Sequence, residues 1–333
     1  MTDTDDFAGA PWDGSDPVRA HAETLVDWSA RVESGDRVVI RVAEGAHDLA
    51  VAVAAVLGDR GATPVFVYDS GEVSRAYLRA AAAERLADPA DGHAIALYES
   101  TDVVLSLCGT RNVAARADVP DATRQAHARG NAPIREARLG TDWVSTVHPT
   151  RALAQQAWMA YEAYQTFVYD AVLRDWQALA EEMAGIKTRL DSASEVRLVD
   201  EDTDLTLDIA DRVAVNSAAS VAYDSHNLPS GEVFTAPSSA DGVVTFDVPM
   251  TVEGRQVQDV TLRFEDGEVV EQFAGEGSEA IAAVLDTDDG ARRLGELGIG
   301  TNEGITRPTD SILFDEKMAG TVHLALGRAY DAC

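Results

Sequence analysis

The sequence has only two cysteines, Cys108 and Cys333, in 333 residues. Two thiols cannot make a disulfide framework or a cysteine-rich zinc site. Lysine is equally scarce: Lys187 and Lys317 are the only two among 27 basic residues, the rest being arginine. No apolar run reaches the ~20 residues that a membrane-spanning helix needs. The N-terminus, Met-Thr-Asp-Thr-Asp-Asp, lacks the basic stretch that opens a signal peptide. These absences lead to the expectation of a soluble, cytoplasmic protein with no membrane partner. There is also no Gly-x-Gly-x-x-Gly after the first predicted strand, no Walker-type Gly-Lys-Ser/Thr and no His-Glu-x-x-His. Dinucleotide binding and zincin-type catalysis therefore lack their usual motifs.

What the chain has in excess is acid. Its 57 Asp and Glu residues give a net charge of −30 and a pI of 4.4. Such a surface repels phosphate backbones, so a nucleic-acid partner is not expected. The acids are spread along the whole chain and form no single block, which argues against one acidic docking face. Acid excess with so little lysine resembles the proteins of salt-accumulating halophiles, in which molar salt screens the self-repulsion.

At 46% hydrophobic residues, the chain can bury two cores, and two domains are expected. Residues 1–17, rich in Asp, Gly and Pro, read as loose. A helix is predicted over Val18–Glu33, a strand over Arg37–Val42 and a helix over Ala46–Leu57. A strand over Pro64–Tyr68, a helix over Val73–Leu86 and a strand over Thr101–Leu107 follow. Apolar strands alternating with helices predict an α/β domain with a mostly parallel sheet covered on both faces. Residues 119–190 read as mostly helical, interrupted by a strand at Asp142–Val147. Pro149 and Thr150 mark the start of a long helical run. Trp158, Tyr161, Tyr164 and Phe167, three apart, are expected on one helical face, as core or as subunit interface.

From about Glu195 the pattern changes to short alternating strands: Val196–Val199, Asp204–Ile209, Val213–Val215, Val243–Val248 and Val257–Phe264. Asp266-Gly267 is a hairpin turn into a strand over Glu268–Phe273. This predicts an α+β domain with antiparallel strands. The expected division is residues 1–190 and 191–333, with the chemistry in the second part.

One stretch is distinctive: His226-Asn-Leu-Pro-Ser-Gly-Glu-Val-Phe-Thr-Ala-Pro237. Asn227, Pro229, Ser230 and Gly231 are turn formers, and Val233–Thr235 reads as a short strand closed by Pro237. Glu232 thus stands at the mouth of a strand after a rigid turn, where a carboxylate has a fixed direction. Taken alone, it is either such a directed carboxylate or one more surface acid.

The stretch resembles the signature of the family M29 metallo-aminopeptidases, the aminopeptidase T and aminopeptidase S group. Asp288–Asn302, with Arg-x-Leu-Gly-Glu, is similar to the family's second block, and Asp315–Tyr330 to its third. The resemblance implies a metal site of two divalent ions, for which zinc, cobalt and manganese are suited. It makes Glu232 a metal ligand, Glu296 the ligand bridging both ions and His323 a further ligand. Tyr330 would donate a hydrogen bond to the developing oxyanion. Carboxylates suit hard cations and imidazole adds a borderline nitrogen. Two bridged ions about 3.5–4 Å apart activate a water and polarise the scissile carbonyl.

The implied activity is release of N-terminal residues from short peptides, by a homodimer. Outside the resemblance, His323 reads first as a hydrogen-bonded core histidine, while Glu296 can be read as a turn cap and Tyr330 as a packing residue. His226 is read as a neighbour of the signature and not as a ligand. The family's His-x-Asp pair beyond the tyrosine has no counterpart in this sequence. Glu232 and Glu296 alone under-neutralise two divalent ions, so weak binding at a second position is expected. An inactive peptide-binding or dimerisation module is the alternative expectation.

Overall fold

The computed structural model describes residues 16–89, 92–252, 255–329 and 333. The chain divides into two compact units, the first comprising residues 1–176 and 219–229 and the second residues 177–218 and 230–333. Most of the stretch expected to be loose at the N-terminus, residues 1–15, lies outside the described residues.

In the first unit, helix α1 (Pro17–Glu23) opens with Asp16, whose carboxylate accepts from the amides of Val18 and Arg19, and with Pro17 in the first turn. This arrangement satisfies amide donors that a helix start otherwise leaves bare. A π-helical turn, Thr24–Ser29, continues it. The strands β1 (Arg37–Ala43), β2 (Thr63–Asp69), β3 (Val103–Cys108) and β4 (Asp142–Val147) form the sheet with β8 (Asn227–Leu228) from the returning segment. Their order is β2-β1-β3-β4-β8, and every pairing is parallel.

Helices α2 (His47–Arg60), α3 (Gly71–Ala80), α4 (Ala83–Ala87), α5 (Gly92–Glu99), α6 (Asp121–Gly130) and α7 (Ala132–Leu139) link these strands. Val39 and Val104 cluster with Tyr98 of α5 and with Ile134 and Ala137 of α7. The alternate residues Val38, Ile40 and Leu105 are buried as well. A strand buried at successive positions is one covered on both faces.

Two helices expected to be continuous are broken. The segment 73–86 divides into α3 and α4, with Ala81 and Ala82 extended between them. Leu78 and Leu86, which would point about 80° apart on one helix, thereby join a single cluster with Val119 and Ala126. The long run after Thr150 becomes α8 (Arg151–Gln156), α9 (Tyr161–Val172) and α10 (Trp176–Ser192). Thr150 caps α8, accepting from the Leu153 amide. Trp158 ends it at φ 54°, with Met159 N donating to Ala154 O and Trp158 N to Gln155 O. That is the double hydrogen bond of a Schellman stop. Trp158 is 89% exposed, whereas Tyr164 and Phe167 are buried, so the aromatic stripe is not one face.

The second unit is antiparallel. One sheet contains β5 (Glu195–Asp200), β6 (Thr203–Asp208), β10 (Ser239–Phe246), β13 (Val260–Glu265) and β14 (Glu268–Phe273), in the order β14-β13-β10-β6-β5. Asp266 and Gly267 form the turn between β13 and β14. Strands β11 (Met250–Val252) and β12 (Arg255–Val257) pair separately. The other sheet is β7 (Val215–Ser217), β9 (Glu232–Thr235), β15 (Leu294–Gly300) and β16 (Val322–Leu326), in the order β16-β15-β9-β7. One core serves both sheets: Leu205, Leu207, Val244, Leu262 and Phe264 cluster with Leu294 and Leu297 of β15, and Leu324 and Leu326 pack against them. Helix α11 (Ser278–Leu285) contributes Ala280 and Leu285. An α/β domain with a parallel sheet and an antiparallel α+β domain are thus the observed fold class. No helix among the described residues is long and apolar enough to cross a membrane.

Candidate metal centre

The turn before β9 is held from three sides. Gly231 adopts φ 104°, a conformation that side-chain-bearing residues rarely take. Its amide donates to Ser217 O at 3.0 Å and its carbonyl accepts from Thr301 N at 2.9 Å. The fully buried Asn302 donates from Nδ2 to Ser230 O at 2.9 Å. Glu232 follows as the first residue of β9, and its direction is set by that clamp.

Register then decides which side chains share a face. Glu232 lies opposite Gly300, and Gly298 lies opposite His323 and Phe234. Residues two apart in a strand point the same way, so Glu232, Gly298, Gly300 and His323 are on one side of this sheet. By the same rule Glu296 joins Gly298 and Gly300 on that side, and strict alternation would put Leu294 there with Glu296. A β-bulge between them changes the register: Leu294 pairs with Leu326, but Glu296 pairs with Ala325. The extra residue is Gly295, and it turns Leu294 into the core while Glu296 keeps the face of His323. Leu297 of β15 and Leu324 of β16 fill the opposite face, against the core.

The three expected ligands therefore converge. His323 Nε2 is 2.9 Å from Glu296 Oε1 and 3.6 Å from Glu232 Oε2. Glu232 and Glu296 are both buried. Two further residues belong to the group. Glu316 offers an oxygen that, with one from Glu232 and a ring nitrogen of His323, falls in a set of ligand atoms all within 4.8 Å of one another. Lys317, 2% exposed, places Nζ 3.1 Å from Glu232 Oε1 and 2.8 Å from Glu316 Oε2.

The segment carrying both is anchored by its neighbours. Phe314 at the end of α12 (Ile312–Asp315) is buried. Asp315 accepts from the Thr309 and Ser311 amides and from the Thr309 hydroxyl. Lys317 O accepts from Asn302 N.

Electrostatics follow from burial against charge. Burial lifts the Glu232 carboxyl above its ordinary pKa, against the pull of Lys317 and His323. Burial opposes the Lys317 charge, but Glu232 and Glu316 outweigh it and raise the ammonium's pKa. The His323 ring is likewise penalised by burial, but its hydrogen bond to Glu296 and the surrounding carboxylates raise its pKa.

Sequence reasoning passed over Glu316 and Lys317, although both stand in the third motif block. The usable signal was that one of only two lysines in the chain sits beside a glutamate there. His226 stacks on Trp143, with ring centroids 4.3 Å apart and Nδ1 2.9 Å from Trp143 O. Tyr330 lies outside the described residues.

The residues present fit a divalent cation. Glu232 Oε2 and His323 Nδ1 are buried and have no hydrogen-bond partner, which is costly for polar atoms that nothing else satisfies. Three carboxylates and one imidazole are a donor set that first-row divalent metals accept.

The comparisons agree with the motif reading. A 25%-identical solved structure, wild-type AmpT from Thermus thermophilus, superposes with a TM-score of 0.81, over 95% of this chain and 86% of that one. Aminopeptidase T of Thermus thermophilus is 32% identical over 198 residues, 56% of this chain and 45% of the relative. Aminopeptidase 2 of Geobacillus stearothermophilus is 42% identical over 110 residues, 31% of this chain and 26% of the relative. The matched stretches thus span about a quarter to a half of those curated relatives. The model of the thermophilic metalloprotease (M29) family matches residues 15–333. The chain belongs to the M29 metalloprotease family.

Proposed function

We propose that the protein is a metal-dependent aminopeptidase that hydrolyses the N-terminal peptide bond of short peptides. One observation carries the reading: Glu232, Glu296 and His323, from three strands, meet in one largely buried group with an unsatisfied Glu232 oxygen. Glu232, Glu296, Glu316 and His323 are the residues that would hold the metal. A divalent ion bound there supplies an acidified water and a polarised carbonyl. Glu296, whose Oε1 is hydrogen-bonded to His323, is suited to hold a proton from the attacking water and pass it to the departing amine. Tyr330 is assigned the oxyanion hydrogen bond on the family resemblance. The cluster's polarity and burial favour a small, charged group, and the substrate's α-amine meets that description. The resemblance also carries two ions per chain and a homodimer. The acidic, lysine-poor composition makes molar salt the condition for assay.

The test is cleavage of amino-acid anilides with added Zn²⁺, Co²⁺ or Mn²⁺ in molar salt. Glu296→Gln is expected to lower kcat at least about 100-fold with circular dichroism unchanged. Wild-type protein that takes up no metal and a Glu296→Gln variant of equal activity would sink the reading.

A second reading, a metal-free binding or dimerisation module, has one observation in its favour. The Lys317 ammonium already neutralises part of the Glu232–Glu316 pair. Calorimetric titration separates the two, since tight metal uptake excludes the module.

A further inference from the structure

Lys317 is the least expected member of the group. A lysine ammonium at 2% exposure is costly to bury and persists only where it is fully paired. Here it meets one oxygen from each of two carboxylates, Glu232 Oε1 and Glu316 Oε2. It leaves Glu232 Oε2 with no hydrogen bond, on the side where His323 Nε2 lies 3.6 Å away. Its backbone is pinned by Asn302 N to Lys317 O and by Lys317 N to Phe314 O, each at 2.9 Å. Glu316 adds a negative charge to the group and Lys317 cancels one, so the ammonium's gain lies in orientation.

We propose that Lys317 is a positioning residue: it grips one oxygen of Glu232 and one of Glu316 and so turns their remaining oxygens toward a divalent ion. On this view the ammonium stays between the two carboxylates when the ion is bound. It acts as a fixed outer partner of the ligands, and outer partners of metal ligands typically govern affinity by about 10–100-fold. This rests on the metal-site reading above.

The chain's lysine poverty supplies the test. Full-length protein labelled with ¹⁵N-lysine contains only two side-chain ammonium groups, Lys187 and Lys317, and Lys187→Arg assigns them. The expected result is a Lys317 signal in slow exchange with water that shifts but persists at saturating Zn²⁺. Lys317→Met is expected to weaken Co²⁺ uptake by calorimetry at least about 10-fold and to change the visible absorption of bound Co²⁺. Loss of the Lys317 signal to solvent exchange on Zn²⁺ binding would overturn the proposal, since the ion would then have expelled the ammonium. A folded Lys317→Met that binds Co²⁺ as tightly as wild type would also overturn it, with the metal-site reading left intact. If Lys317→Met does not fold, the wild-type spectrum still decides. Wild-type protein that binds neither Zn²⁺ nor Co²⁺ would remove the metal-site reading and this proposal together.

Discussion

The imidazole of His323 packs so closely on Gly298 that a β-carbon at position 298 would lie 2.0 Å from His323 Cε1 and 2.2 Å from Nε2. The two residues are register partners on β15 and β16. Glycine at 298 therefore clears the floor on which His323 reaches Glu296 and Glu232. Gly298→Ala is expected to displace the ring and raise the dissociation constant for Zn²⁺ at least about 10-fold, read by calorimetry. Gly185→Ala on α10 is the control, because a β-carbon there meets nothing within 4 Å. It should leave metal uptake alone and raise helix stability by up to about 1 kcal/mol.

Asn302 connects the β9 turn to the segment bearing Glu316 and Lys317. It donates to Ser230 O, accepts from Gly304 N at 2.9 Å, and its own amide donates to Lys317 O. Asn302→Ala leaves the Ser230 carbonyl and the Gly304 amide without that partner. A loss of about 1–3 kcal/mol per group left unsatisfied is expected, measured by denaturant unfolding.

Metal removal should be visible in stability as well as in turnover. An ion that binds only the folded chain adds about 2.7 kcal/mol at a hundredfold excess over its dissociation constant. Chelation is expected to lower Tm and Zn²⁺ to restore it, with the size of the shift set by ion concentration. A Tm indifferent to both would contradict a folded-state metal site.

A separate pH dependence comes from the first unit. His21 is fully buried, its Nε2 2.7 Å from Thr146 Oγ1, and burial, assisted by His148, pushes its pKa down to about 3. Thr146 Oγ1 in turn donates to Leu228 O. The unfolded chain takes up this proton near its ordinary value of 6.5, and the folded chain does not until about 3. Stability from this group is therefore complete above 6.5 and is lost as pH falls through that window, by at most about 1.4 kcal/mol per unit. Denaturant midpoints of wild type and His21→Leu from pH 8 to 4 should converge as the pH drops. Parallel curves would show that His21 does not titrate this way.

The α/β order of the first unit was legible because its central strands carry apolar runs buried at successive positions, Val38–Ile40 and Val103–Leu105. Helix breaks were not. Ala81–Ala82 and Trp158 have no proline or glycine to mark them, and the breaks serve the packing of Leu78 with Leu86 and the Schellman stop at Trp158. The turn formers before Glu232 left a directed carboxylate and a surface acid both open, and Glu232, Glu296 and His323 were singled out as ligands only through resemblance to known motifs. Strict alternation puts Leu294 and Glu296 on the same face, and only the bulge at Gly295 separates them.

The sequence by itself determined the parallel and antiparallel halves, the acid excess, and the local rigidity at residues 227–231, because periodicity, charge and turn chemistry are local properties. Tertiary structure alone decided that Glu232, Glu296, Glu316, Lys317 and His323 share one partly buried group. Strand register brings Glu232, Glu296 and His323 together, and the hydrogen bonds of Lys317 to Asn302 and Phe314 hold the segment bearing Glu316 and Lys317. Register is fixed by the packing of the opposite, apolar face, which acts across the whole sheet and not along the chain.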